Sequence, residues 1–70
     1  MMPLIYANIG EENVIKRVGG ANETKRHLEN LGFVPGSKVS IVNKMNQNVI
    51  VSIKDTRIAI SEELAQKIII

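Results

Sequence analysis

Leu28-x-x-Leu31-Gly32-Phe33-Val34-Pro35-Gly36-Ser37-Lys38-Val39 reads as the end of a helix, a stop, a corner and the start of a strand. Gly32 stands where a helix ends and the chain needs a left-handed backbone, which glycine adopts without a Cβ penalty. Pro35-Gly36 suits the central pair of a type II turn. Proline presets the first φ, and glycine accepts the positive φ of the second. The alternating Lys38-Val39-Ser40-Ile41 that follows then launches a strand.

Upstream of the corner, the spacing predicts a helix over about 23–31. Asn22 is its expected N-cap, and Glu23 lies in the first turn, where a carboxylate complements the helix dipole. Leu28 and Leu31 share one face, with Thr24 near it one turn earlier, while Lys25, Arg26 and Glu29 fall mainly outside that stripe. So short a helix does not persist alone and must pack on a sheet. Further upstream, Gly19-Gly20 breaks the chain, Val14 to Val18 is expected as one strand, and Asn8 to Asn13 as a loop. Pro3 to Ala7 is an apolar opener expected as an edge strand.

Downstream, strands are expected over 38–44, 49–54 and 57–60. A polar hairpin loop, Met45 to Asn48, and a two-residue turn, Asp55-Thr56, would join them. Val49, Val51 and Ile53 form one face of the clearest strand. Ser61, followed by Glu62 and Glu63, caps a helix of one to two turns over about 61–66, and Lys67 to Ile70 closes the chain as a last strand. The fold class is therefore mainly β: one domain over 1–70, a small barrel of five to six short strands with two small helices. Closure is the economical way for so short a chain to remove sheet edges. Ile68-Ile69-Ile70 is expected to pair back onto the first strand and complete the closure.

Composition narrows the chemistry. With 70 residues the core is small, often worth only about 3–5 kcal/mol net without staples or partners. No cysteine is present to supply a disulfide or a zinc-thiolate site. With one Phe, one Tyr and no Trp, the core must be aliphatic. Met1 to Ala7 lacks a basic leader with a long apolar run, and no apolar stretch approaches the ~20 residues of a membrane span. The expectation is a cytoplasmic protein without direct membrane insertion.

No catalytic, metal-binding or cofactor site is expected. His27 is the single histidine, Glu11-Glu12 and Glu62-Glu63 are adjacent pairs whose carboxylates diverge, and no glycine pattern ends in the Gly-Lys-Ser/Thr of a phosphate loop. Net charge is +2, with the charges interleaved. Lys16, Arg17, Lys25 and Arg26 surround the first strand and helix and are candidates for a partner-binding surface, with Phe33 and Val34 beside them. Nucleic acid is not the expected partner, because stacking platforms need aromatics and only Tyr6 and Phe33 are available.

The Leu28-to-Val39 stretch closely resembles the helix–turn–strand signature of FeoA proteins, small accessory components of bacterial ferrous-iron uptake. Arg57-Ile58-Ala59-Ile60, then two acidic residues, then Ala65-x-Lys67-Ile68 resembles the family's closing strand, helix and strand. The resemblance runs from about Val14 to Ile70, and the Met45-to-Asn48 loop is shorter than in many members. It implies an SH3-like β-barrel with Leu28, Leu31, Gly32, Pro35 and Gly36 as its structural signature. It also implies a non-catalytic protein that docks at the cytoplasmic side of an FeoB-type membrane GTPase, with no cofactor of its own. The alternative it carries is a metal-responsive SH3-like module of a transition-metal regulator; an RNA-binding barrel is a third. An apolar terminal strand on a small core also leaves self-association open.

Overall fold

The corner forms as its residues dictate. In the computed structural model, which describes Met1–Ile70, helix α1 spans Asn22–Asn30 and Leu31 keeps a helical backbone. Gly32 then turns left-handed at φ +105°. The Gly32 N–H donates to the Glu29 carbonyl and the Phe33 N–H to the Leu28 carbonyl, both at 2.9 Å. These are the paired bonds of a Schellman stop, which satisfy carbonyls a helix end would otherwise leave open. Phe33 and Leu28, joined by the second of these bonds, are both fully buried, so the stop is also a hydrophobic clasp. The Ser37 N–H closes the next turn on the Val34 carbonyl at 3.1 Å, with Pro35 and Gly36 (φ +91°) in the centre, as a type II turn requires.

Around this corner lie strands β1 (Glu12–Val14), β2 (Arg17–Val18), β3 (Lys38–Met45), β4 (Asn48–Ile53), β5 (Thr56–Ser61) and β6 (Ile68–Ile69), with helix α2 at Glu62–Ala65. They form two antiparallel sheets: a four-stranded one in the order β1-β3-β4-β5 and a two-stranded one pairing β2 with β6. The result is a mainly β architecture of six short strands and two small helices, in keeping with the fold read from the sequence.

Several local expectations are corrected. Ala21, not Asn22, is the N-cap of α1, and it makes no side-chain cap bond. Asn22 is the first helical residue, and its turn lies exposed, where water can serve the open N–H groups. Val14 to Val18 is not one strand. β1 pairs with β3 through Val14 and Lys38, whereas β2 pairs with β6 through Arg17 and Ile69. At the join the Ile15 N–H donates to the Ser37 carbonyl (2.9 Å) and the Lys16 N–H to the Ile69 carbonyl (2.7 Å). The chain thus changes sheets at Ile15-Lys16, the alternation breaks, and Ile15 and Val18 are both buried. The expected loop over 8–13 is shorter too, since β1 already begins at Glu12.

Pro3 to Ala7 is not an edge strand. Leu4–Tyr6 is a turn of 3-10 helix, with Leu4, Ile5 and Ala7 buried. Pro3 has no N–H to extend a ladder, and only Pro3 itself bridges to Ile69. The terminal strand does pair back onto this opening segment: Met2 and Ile70 exchange backbone bonds at 3.0 and 2.8 Å. It also pairs with β2, so Ile69 is held from both sides.

Both hairpins are tighter than, or shifted from, expectation. Met45 pairs with Asn48, leaving only Asn46-Gln47 as the turn, and Thr56 pairs with Ile53, leaving Lys54-Asp55. Lys54 and Asp55 take φ of +50° and +61°, the left-handed pair that matches the twist of a two-residue hairpin. Inward-facing Val49, Val51 and Ile53 fix this register, since a one-residue slip would turn them to solvent. In β3 the register shifts between Ile41 and Asn43. The bulge brings Lys44 opposite buried Val49, and its Nζ donates to the Ile5 carbonyl at 3.0 Å.

All 16 buried residues are apolar, and no buried side-chain polar atom lacks a partner. Ser61 caps α2 as expected, its Oγ accepting from the Leu64 N–H at 3.1 Å.

Candidate interaction surface

With an apolar interior, every charged side chain stands at the surface, and any chemistry of recognition is there. Helix α1 buries Leu28 and half-buries Thr24, and exposes the rest. Arg26 and His27 line a shallow hollow of about 270 Å³ along this exposed face, with Asn22, Glu23 and Asn30 around them. Lys25 is exposed on the same helix but outside the hollow.

Lys16 and Arg17 are exposed where the chain passes from β1 to β2. No hydrogen bond, ion pair or hollow joins them to Lys25 and Arg26. The basic residues form two stations flanking the Gly19-Gly20 break. Val34 is half-buried, its carbonyl engaged in the type II turn. Phe33 is removed from the candidate surface. It is fully buried beneath the Schellman stop, so a partner cannot touch it, and its role is that of the single aromatic core anchor.

The five signature positions serve the fold. Leu28 is fully buried, Leu31 packs against the core, and Gly32 and Gly36 hold positive φ on either side of Pro35. A Cβ at Gly32 would meet only Lys54, with Cδ at 3.6 Å, so the glycine is needed for its backbone and not for space. That contact reveals a neighbour absent from the sequence reading. Lys54 reaches from the β4–β5 turn over the C-terminal end of α1, where a cation complements the helix dipole. At the other end Lys67 makes a packing contact only, its Cδ lying 3.5 Å from the Cβ position of Gly20 beside Thr24, since a cation gains nothing from the dipole at a helix N-terminus. Neither approach has a local signal, since each depends on how distant turns stack.

A second hollow, about 410 Å³, lies over the outer face of β1, β3 and β4. Ser40 and Ser52 face each other across its floor, and Glu12, Lys38, Lys54 and Asp55 stand around it. Glu12 and Lys38 make the molecule's one ion pair, at 3.9 Å and well exposed, worth little to stability. No three or more His, Cys, Asp or Glu side chains converge anywhere. No helix is long and apolar enough to cross a membrane.

A six-stranded, two-sheet β domain with an apolar interior and its polar groups outside defines a small SH3-like protein. The family model described as the FeoA domain matches residues 2–70, and the chain belongs to the FeoA family. It is 36% identical over its whole length to 85% of the "Putative Fe(2+) transport protein A" of Methanocaldococcus jannaschii. Among solved structures, FeoA of Stenotrophomonas maltophilia complexed with zinc, described as a prokaryotic SH3 domain protein, superposes with a TM-score of 0.87 at 28% identity. That match covers 99% of this chain and 88% of the other. A manganese-dependent transcriptional repressor gives a TM-score of 0.82 over 94% of this chain and 38% of its own; at 16% identity the likeness shows a shared fold alone. The chain is thus a member of a family of small accessory proteins of ferrous-iron transport.

Proposed function

We propose that this protein is a non-catalytic adaptor that docks on the cytoplasmic part of an FeoB-type membrane GTPase and modulates ferrous-iron uptake. The observation that carries the reading is the FeoA-domain match over residues 2–70. The geometry supports it: the interior holds no titratable group, and recognition is left to exposed side chains. The docking surface takes in two exposed stations, the α1 face with Lys25 and Arg26 and the β1–β2 join with Lys16 and Arg17, together with half-buried Val34. Such surface charges steer and orient a partner more than they add raw affinity. The fold shared with a manganese-dependent repressor, at 16% identity, lends no specific support to a regulatory-module reading.

The test is a pull-down with the cytoplasmic domain of the cognate transporter, loaded in turn with GDP and a non-hydrolysable GTP analogue. Binding in at least one state is expected. Lys25→Glu with Arg26→Glu should reduce it about tenfold or more while leaving the melting temperature in place. Absence of binding in every nucleotide state contradicts the proposal.

A further inference from the structure

The hollow on α1 is lined by that helix alone, through Asn22, Glu23, Arg26, His27 and Asn30. Its fixed charges, Arg26 and Glu23, cancel. His27, the single histidine of the chain, therefore decides whether the hollow is balanced or cationic. None of these three side chains makes a hydrogen bond or an ion pair within the molecule, so each is free to meet a partner. On the other flank of α1, Lys25 and Glu29 are exposed, stand four residues apart and offset each other. From other elements, Lys54 reaches the C-terminal end of α1 at Gly32, and Lys67 lies beside Gly20 and Thr24 at its start. Neither lines the hollow.

Across the two docking stations, Lys16, Arg17, Lys25 and Arg26 outnumber Glu23 and Glu29, so the surface they complement is acidic. Histidine is the side chain whose charge ordinarily changes between pH 5 and 8. A proton on the imidazole adds a charge beside Arg26 and makes both ring nitrogens donors to a carboxylate. We propose that the α1 hollow receives a carboxylate of the partner's acidic surface and that His27 makes this docking pH-sensitive. The inference rests on the docking reading above and adds its regulation. The sign follows from the charge. The acidic partner favours protonated His27, so the complex tightens as pH falls through the histidine range and loosens as it rises.

The test is titration calorimetry of the full chain against the cytoplasmic domain of the cognate GTPase, in steps from pH 8 to pH 5.5. Wild-type affinity should rise about threefold or more toward the acid end, the scale of one exposed charge pair. His27→Gln keeps an N–H donor but no titrating charge, and its affinity should rise clearly less. Comparing the two removes whatever the partner itself titrates. Glu23→Gln leaves the hollow cationic at every pH and should tighten binding at pH 8. Parallel pH curves for wild type and His27→Gln overturn this inference and leave docking standing. A Glu23→Gln variant that binds no tighter than wild type at pH 8 also overturns it. No binding at any pH overturns docking itself, and this inference with it.

Discussion

The corner at Leu28 to Ser37 and the first eighteen residues differ in what sets their shapes. In the corner, the bonds that shape the helix stop and the turn reach only three to five residues: Gly32 to Glu29, Phe33 to Leu28, Ser37 to Val34; Gly36 and Ser37 then tie the finished turn to Ile15. In the opening segment backbone bonds reach across the chain: Met2 to Ile70, Gly10 to Ile41, Lys16 to Ile69. One region carries its conformation in its own residue types. The other has local bonds in its short turns, as from Ala7 to Leu4, but is set in place by distant strands. The two should therefore respond differently to damage.

Removing Ile68–Ile70 attacks the long-range region at its hub. It deletes the partner of both Met2–Pro3 and β2, and takes buried Ile68 and Ile70 from the core. At about 1.5–3 kcal/mol per buried side chain, set against the ~3–5 kcal/mol net of a small core, the truncated chain should be unfolded by circular dichroism. Next in size is Phe33→Ala, which empties the space under the Schellman stop and should cost about 3–5 kcal/mol in urea denaturation. Gly32→Ala keeps every contact but forces a Cβ at φ +105°. It should cost more than about 1 kcal/mol, through strain alone. Smallest is Ser61→Ala, which removes the bond to the Leu64 N–H and should cost about 1 kcal/mol in the same assay. A Gly32→Ala variant as stable as wild type would break the claim that the corner is held by local backbone chemistry.

This contrast also explains what was legible in the chain. Gly32, Pro35-Gly36 and Ser61 each announce a backbone geometry that their own chemistry demands, and each was found where it was expected. The alternation of Val49, Val51 and Ile53 likewise marked a buried strand face. The opening segment misled because Pro3 to Ala7 reads as a plain apolar run and Val14 to Val18 as one unbroken strand. Whether such a run bends, coils or changes sheets depends on residues some fifty positions away, as the Lys16 to Ile69 bond shows. The hairpin turn at Lys54-Asp55 was displaced by one residue because strand register overrode the turn preference of the residues themselves. Phe33 was expected beside the partner surface, and its complete burial assigns it to the core instead. The exposed basic residues were readable as exposed, but not that Lys16 and Arg17 lie at the β1–β2 join while Lys25 and Arg26 lie apart on α1.

The central claim is that an interior devoted to the fold leaves partner recognition to the α1 face and the β1–β2 join. Nuclear magnetic resonance titration of the isotope-labelled chain with the cytoplasmic domain of the cognate FeoB-type GTPase tests it most directly. Amide shifts centred on Lys25, Arg26, Lys16, Arg17 and Val34 are the predicted result. Shifts confined to other surfaces, or none in either nucleotide state, would contradict it.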